Sequence, residues 1–239
     1  MPKFQHVSDH DAYSLRGIGI EDAHLPTDNY ILVYNSGTSE FIYKDKDKFG
    51  TDTSFSEFEP DGTLIFSGDA TVYRDFIMSV QNLRPGISPP TFDTFQDGIY
   101  GIRFNDSVND EVHGSVEFQH DYVEGSDFEV HVHWSPTTTD VGNCRFGFEY
   151  SIANRNTGTF GASTTIFINP TATGIINNHI YSSFGLISGV GLTIGAHIVF
   201  RFFREGDNVL DTFTGNAFVH TIGIHYKCDT VGSRQPTIK

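Results

Sequence analysis

The chain has 239 residues, 30 of them acidic and 15 basic, for a formal charge of -15. So acidic a surface repels phosphate backbones, and with no locally basic patch it excludes nucleic acid as a partner. Aromatic residues make up 14% of the chain, 22 Phe, 10 Tyr and one Trp, and with the many Gly, Thr and Asn they argue for strands and turns rather than helices. No run is apolar and long enough to span a bilayer and no apolar leader opens the chain, so synthesis in a cytosol and no membrane insertion are expected.

Residues 1 to about 28 are irregular and rich in His, Asp and Gly, with Arg16-Gly17-Ile18-Gly19-Ile20 as their only apolar stretch. Such a segment has too little core to fold alone, so it is either disordered or docked on a neighbour. Tyr30 to Lys44 then reads as a hairpin around Asn35-Ser36-Gly37-Thr38, a small unit that needs something to pack on. Its Ile31-Leu32-Val33-Tyr34-Asn35 and Phe41-Ile42-Tyr43 resemble a short module, written xLxYNxxxxxWxN, near the N-termini of bacteriophage fibre and other virion proteins. Phe41 stands where that module has Trp. Docking of the irregular segment through Arg16, Ile18 and Ile20, together with Leu32, Tyr34 and Phe41 of the hairpin, is the expected attachment, and the resemblance implies assembly as a homotrimer.

The Lys44 to Lys48 run is a solvated turn of alternating charge. A short strand is expected at Gly62 to Phe66, and the sequence divides near Ser67 into residues 1–67 and 68–239. Beyond it come strands at 71–76, 99–104, 114–120, 128–134, 144–152, 163–168, 180–187, 197–204 and 218–227, with Leu83 to Pro90 read as a loop. About nine short strands at this density predict two packed sheets. The fold class is therefore all-β, a jelly-roll-like β-sandwich preceded by an extended attachment segment and a small hairpin. Trp134, Phe146, Phe148, Phe200 and Phe202 are the predicted core, and Cys144 and Cys228 are read as buried thiols, since two distant cysteines lack the spacing of a zinc site.

The unbroken alternation of Phe128-Glu129-Val130-His131-Val132-His133-Trp134 marks a strand with one apolar face. Cys144 to Ile152 alternates too, and the two read as an antiparallel pair whose polar faces would gather Glu129, His131, His133, Arg145 and Glu149. His-x-His on one strand face is how a cupin-like jelly roll presents two metal ligands, with His220 or His225 as a third; the Glu a cupin needs a few residues later is missing. The alternative is a hydrogen-bonded polar surface, or a subunit interface. Glycoside hydrolysis would need a carboxylate pair such as Asp121 with Glu124, and no sequence pattern singles one out among the many acidic residues.

Gly125, His131-Val132-His133-Trp134, Phe148-Glu149-Tyr150 and His225-Tyr226-Lys227-Cys228-Asp229-Thr230-Val231-Gly232-Ser233-Arg234-Gln235 together resemble a domain of tailed-phage structural gene products, with motifs PHxHW and HYExDTxGSRQ. Val130 replaces the Pro, and Lys227-Cys228 an acidic-apolar pair. The resemblance implies a non-enzymatic virion protein without cofactor, of head-decoration or head-fibre type. Its expected partners are its own copies and the major capsid protein or another virion protein. A tail fibre or adaptor, a module binding host-surface glycan, and a cupin-like metalloprotein are the alternatives. The polar terminus is either a frayed tail or a subunit contact made by Arg234.

Overall fold

Alternating apolar residues broken by Gly, Asn and Asp build the strands found among the described residues. A computed structural model describes residues 14–15, 18–19, 30–45 and 47–239, with side chains over 33–39, 41–42 and 47–239. The chain divides into two compact units, Met1–Ala70 and Thr71–Lys239.

In the first unit, β1 (Ser14–Leu15) pairs with β2 (Ile18–Gly19), and β3 (Tyr30–Asn35) with β4 (Glu40–Asp45). This second pair is the predicted hairpin. Asn35 Oδ1 accepts from the Gly37 N–H at 3.0 Å, the local side-chain bond that makes Asn a turn former. Tyr34 lies opposite Phe41, their rings edge to face at 5.5 Å. A three-stranded meander follows, β5 (Lys48–Gly50), β6 (Phe55–Phe58) and β7 (Leu64–Ser67).

The second unit contains β8 (Val72–Ser79), β9 (Arg84–Pro85), β10 (Thr91–Gln96), β11 (Ile99–Phe104), β12 (Glu111–Glu117), β13 (Phe128–Pro136), β14 (Phe146–Ala153), β15 (Thr164–Ile168), β16 (Ile180–Ile187), β17 (His197–Arg204) and β18 (Ala217–Cys228). They form two antiparallel sheets, one ordered β10-β11-β18-β13-β16 with β8 also on β18, the other β15-β14-β17-β12-β9. The result is a jelly-roll-like β-sandwich. Rings from the two sheets meet between the layers, Trp134 with Phe146 at 5.5 Å, Phe104 with Phe202 at 5.5 Å and Phe148 with Phe184 at 6.0 Å. All five predicted core aromatics are buried, as are both free cysteines, whose thiols burial pushes up to about 12 (Cys144) and about 11 (Cys228).

Two expectations fail. The predicted loop 83–90 contains β9, a two-residue edge strand on β12, and the sequence after it folds as β10, paired to β11 across Asp97-Gly98. Proline is tolerated in β9 because an edge strand spares its missing N–H. More consequentially, β13 and β14 are not a pair. β13 lies between β16 and β18, and β14 between β15 and β17. Their apolar sides face each other across the core, so their polar sides point out of opposite faces of the sandwich.

Candidate functional site: the histidine face of the six-stranded sheet

The expected cluster of Glu129, His131, His133, Arg145 and Glu149 is therefore two surfaces. On the outer side of the five-stranded sheet, Arg201 lies opposite Glu149 on β14 and His113 on β12. Its guanidinium bridges Glu111 at 2.7 Å and Glu149 at 2.8 Å and covers the Phe203 ring at 4.2 Å. Arg145 repeats the device with Glu205 at 2.6 Å and the Phe167 ring at 4.1 Å. Burial alone would raise the Glu111 carboxyl, but hydrogen bonds from Arg201 and the Ile87 N–H outweigh it and hold it low. The Ser163 hydroxyl and Arg201 hold Glu149 low as well. An open depression of about 330 Å³ beside these charges is lined by His113, Tyr150, Ser163 and Arg201 among others.

The outer side of the six-stranded sheet carries histidines instead. β18, at 12 residues, is the longest strand among the described residues, and it pairs with β13 along one edge and with β11 and then β8 along the other. This register sets Glu129, His225 and Asp75 in one row across β13, β18 and β8, with His131, Gly223 and Ile77 in the next. Gly223 is what lets the rows interlock. A Cβ there would sit 2.1 Å from His131 Nε2 and 2.9 Å from Asp75 Oδ1, so the His131 ring occupies the space a side chain would take. It reaches over bare backbone to within 3.6 Å of Asp75 Oδ2, and His225 Nε2 lies 3.6 Å from the same oxygen.

His131 is 1% exposed. Its ring centroid is 4.2 Å from that of His225 and 4.9 Å from that of Tyr181, and its Nδ1 is buried with no hydrogen-bond partner. Burial resists a charge there and drives the imidazole down to about 4, so it is neutral at physiological pH. Behind His225, Glu129 Oε2 stands 3.4 Å from Nδ1, and Glu129 Oε1 accepts from the Tyr181 hydroxyl at 2.9 Å. Burial would raise Glu129, yet hydrogen bonds from Ser183, Tyr181 and His225 leave it low; burial and that same carboxylate push Tyr181 up to about 12.

The predicted metal candidates thus divide. His131 and His225 converge on Asp75, with one ligand atom from each residue within 4.8 Å of the others. His133 instead meets His179, Nδ1 to Nε2 at 2.7 Å, and His220 Nε2 meets the Ser135 hydroxyl at 2.9 Å. Asp75, His179 and Tyr181 were not foreseen. The alternation Tyr73-Arg74-Asp75-Phe76 does set Asp75 on the side opposite the core-packed Phe76, but the pairing of β8 with β18 is not local.

The remaining sequence candidates lie elsewhere. Arg16 and Ile20 fall outside the described residues; Ile18 lies in β2 and Leu32 in β3, their side chains also outside them. Tyr34 is exposed and Phe41 half-buried. Asp121 is buried, ion-paired with Arg74 at 2.8 Å and accepting from the Tyr226 hydroxyl at 3.2 Å, while Glu124 accepts the Ile194 N–H at 2.9 Å. Both carboxylates hold backbone and core in place rather than flank a groove. The terminal segment is not frayed. Arg155 donates to the carbonyls of Pro236 and Thr237, His120 meets Ser233, and Lys239 meets Asp229. Arg234 in this segment is exposed.

No family model and no curated protein matches the chain. Among solved structures it is similar to the CBM36-1 domain of a multidomain xylanase from the hindgut metagenome of Trinervitermes trinervoides, at 11% identity and a TM-score of 0.37, over 63% of this chain and 96% of that one. A carbohydrate-binding module CBM36 in complex with calcium and xylotriose aligns at 12% and 0.35, over 62% and 98%. The infectious bursal disease virus Gt strain aligns at 10% and 0.33, over 75% of this chain and 39% of that one. Likenesses at these scores carry nothing about ligand or assembly. Among the described residues no helix is long and apolar enough to cross a membrane.

Proposed function

We propose that this chain is a non-catalytic structural protein of a tailed-bacteriophage particle, fastened through residues 1–67 and presenting the sandwich as a rigid body. The carrying observation is where the two phage-like segments lie. His131 to Trp134 is on β13 and His225 to Cys228 on β18, paired strands at the centre of one sheet. Their inward side chains Val132, Trp134, Tyr226 and Cys228 are buried in the core, and the continuation is bound back onto the sandwich, the Asp229 N–H donating to the Asp121 carbonyl at 3.2 Å and Ser233 meeting His120. The resemblance thus covers framework, which supports a role carried by shape. In this reading the protein is a homotrimer of head-decoration or head-fibre type, held by the major capsid protein or another virion protein. It is made in the host cytoplasm and located in the virion. Mass spectrometry of purified particles, followed by their cryo-EM reconstruction, tests it. The expected result is the protein at fixed stoichiometry with density on the head; its absence from particles overturns the proposal.

A second reading, glycan binding at the host surface, is favoured by one observation. Phe92 and Tyr100 stack at 5.3 Å on the β10–β11 hairpin while remaining 61% and 50% exposed, an exposed aromatic pair against which the apolar face of a sugar ring can pack. Binding on a glycan array that is lost in Phe92→Ala supports this reading, and silence across host polysaccharides removes it.

A further inference from the structure

We propose that Asp75, His131 and His225 form a binding site for one divalent transition-metal ion of the zinc class, which clamps the edge strand β8 to β18 and β13. The inference is independent of the virion reading. Three adjacent strands each contribute one donor, and both imidazole Nε2 atoms stand 3.6 Å from the same Asp75 oxygen. That separation is long for a hydrogen bond. It is, however, close to the roughly 3.4 Å that separates two donors each about 2.1 Å from a tetrahedral ion.

The donor chemistry selects the ion. Two imidazoles and one carboxylate suit zinc, cobalt or nickel, whereas calcium and magnesium call for oxygen donors. Glu129 against His225 Nδ1 supplies the outer carboxylate that orients a ligating histidine and raises its basicity. His131 lacks such a backing group, since its Nδ1 has no partner; the expected affinity is accordingly micromolar rather than nanomolar. The Asp75 and His225 side chains remain 26% and 32% exposed, so an ion can enter from solvent and keep a water in the fourth position.

Gly223 is a second, separate pointer. Its missing side chain is the space through which His131 approaches Asp75, and a glycine inside a long strand otherwise weakens it. Here the close approach accounts for it.

The test uses the full chain, without a histidine tag and stripped with EDTA, titrated calorimetrically with zinc chloride and followed by cobalt absorption. We expect one equivalent bound and a rise in Tm of about 5 °C or more at zinc a hundredfold above Kd. Asp75→Asn and His225→Gln, both partly exposed positions that leave the core intact, should each weaken binding at least tenfold and abolish the Tm rise. Glu129→Gln should weaken it by about tenfold. His179→Gln should leave binding unchanged. No zinc binding tighter than millimolar, binding indifferent to Asp75→Asn and His225→Gln, or binding lost in His179→Gln each overturns the site.

Discussion

Breaking the ion pair of Arg204 with Asp211 should be among the most damaging single changes in the sandwich. Both side chains are 0% exposed. Arg204 Nε and Nη2 each donate to Asp211 at 2.8 Å, Nη1 donates to the Gly215 carbonyl at 2.9 Å, and Nη2 also reaches the Phe213 carbonyl at 2.9 Å. Asp211 Oδ2 further accepts the Arg145 N–H at 2.9 Å. Asp211→Ala therefore strands a guanidinium in the core along with one backbone donor. Such a loss costs about 3 to 5 kcal/mol, a large share of the roughly 5 to 15 kcal/mol that holds a domain folded. At a urea slope of about 2 kcal/mol/M the midpoint should fall by about 1.5 M or more. The single tryptophan makes the assay specific, because Trp134 is fully buried in the sandwich and its fluorescence reports this unit alone. Arg204→Met combined with Asp211→Leu should recover part of the loss, since no buried charge is then left unpaired, while the Arg145 N–H and the Phe213 and Gly215 carbonyls still lose their side-chain partners. A shift under about 1 kcal/mol for Asp211→Ala, or a double variant no better than the single, refutes the reasoning.

Gly223→Ala should destabilise the sandwich by about 1 to 3 kcal/mol, because the new methyl group would lie 2.1 Å from His131 Nε2; an unchanged urea midpoint by Trp134 fluorescence would contradict the packing described. Acid should weaken the opposite face. Glu111 and Glu149 are held below their ordinary value of 4.5 in the folded protein, so the stability they confer is complete above that value and is lost as pH falls through their depressed folded values. The acid limb of the urea midpoint, measured between about pH 5 and pH 3, should be shallower in Arg201→Met than in the wild type, and an identical limb would remove the linkage.

Local pattern carried much of the fold. The alternation of Phe128 to Trp134 separates Val130, Val132 and Trp134, all buried in the core, from Glu129 and His133, because side chains in a strand alternate whatever its neighbours. The same holds for Phe146 and Phe148 against Glu149. Buried thiols at Cys144 and Cys228 followed from their spacing and from the strands around them. Asn35-Ser36-Gly37 announced the β3–β4 hairpin because its turn bond is made within the segment itself. The Asp97-Gly98 pair is a hairpin-turn signal, with Asp97 at φ 50°, but the expected strands pass from the proline-rich loop straight to Ile99 and omit β10.

Strand partnership was not legible, and the candidate site depends on it. The stretch joining β13 to β14 looks like the loop of a hairpin, but it carries the chain from one sheet to the other, and nothing in its own residues distinguishes the two outcomes. The error moved Arg145 and Glu149 to the wrong face and hid Asp75, which reaches the histidines only because β8 lies beside β18. One residue did hold the information. Thr221-Ile222-Gly223-Ile224-His225 is a strong strand with a single glycine in the middle, and an isolated glycine in such a run signals that something approaches the backbone closely. The sequence names neither the approaching group nor its strand, but His131, two positions from Glu129 on a strand already marked by its alternation, is the ring that fills the gap.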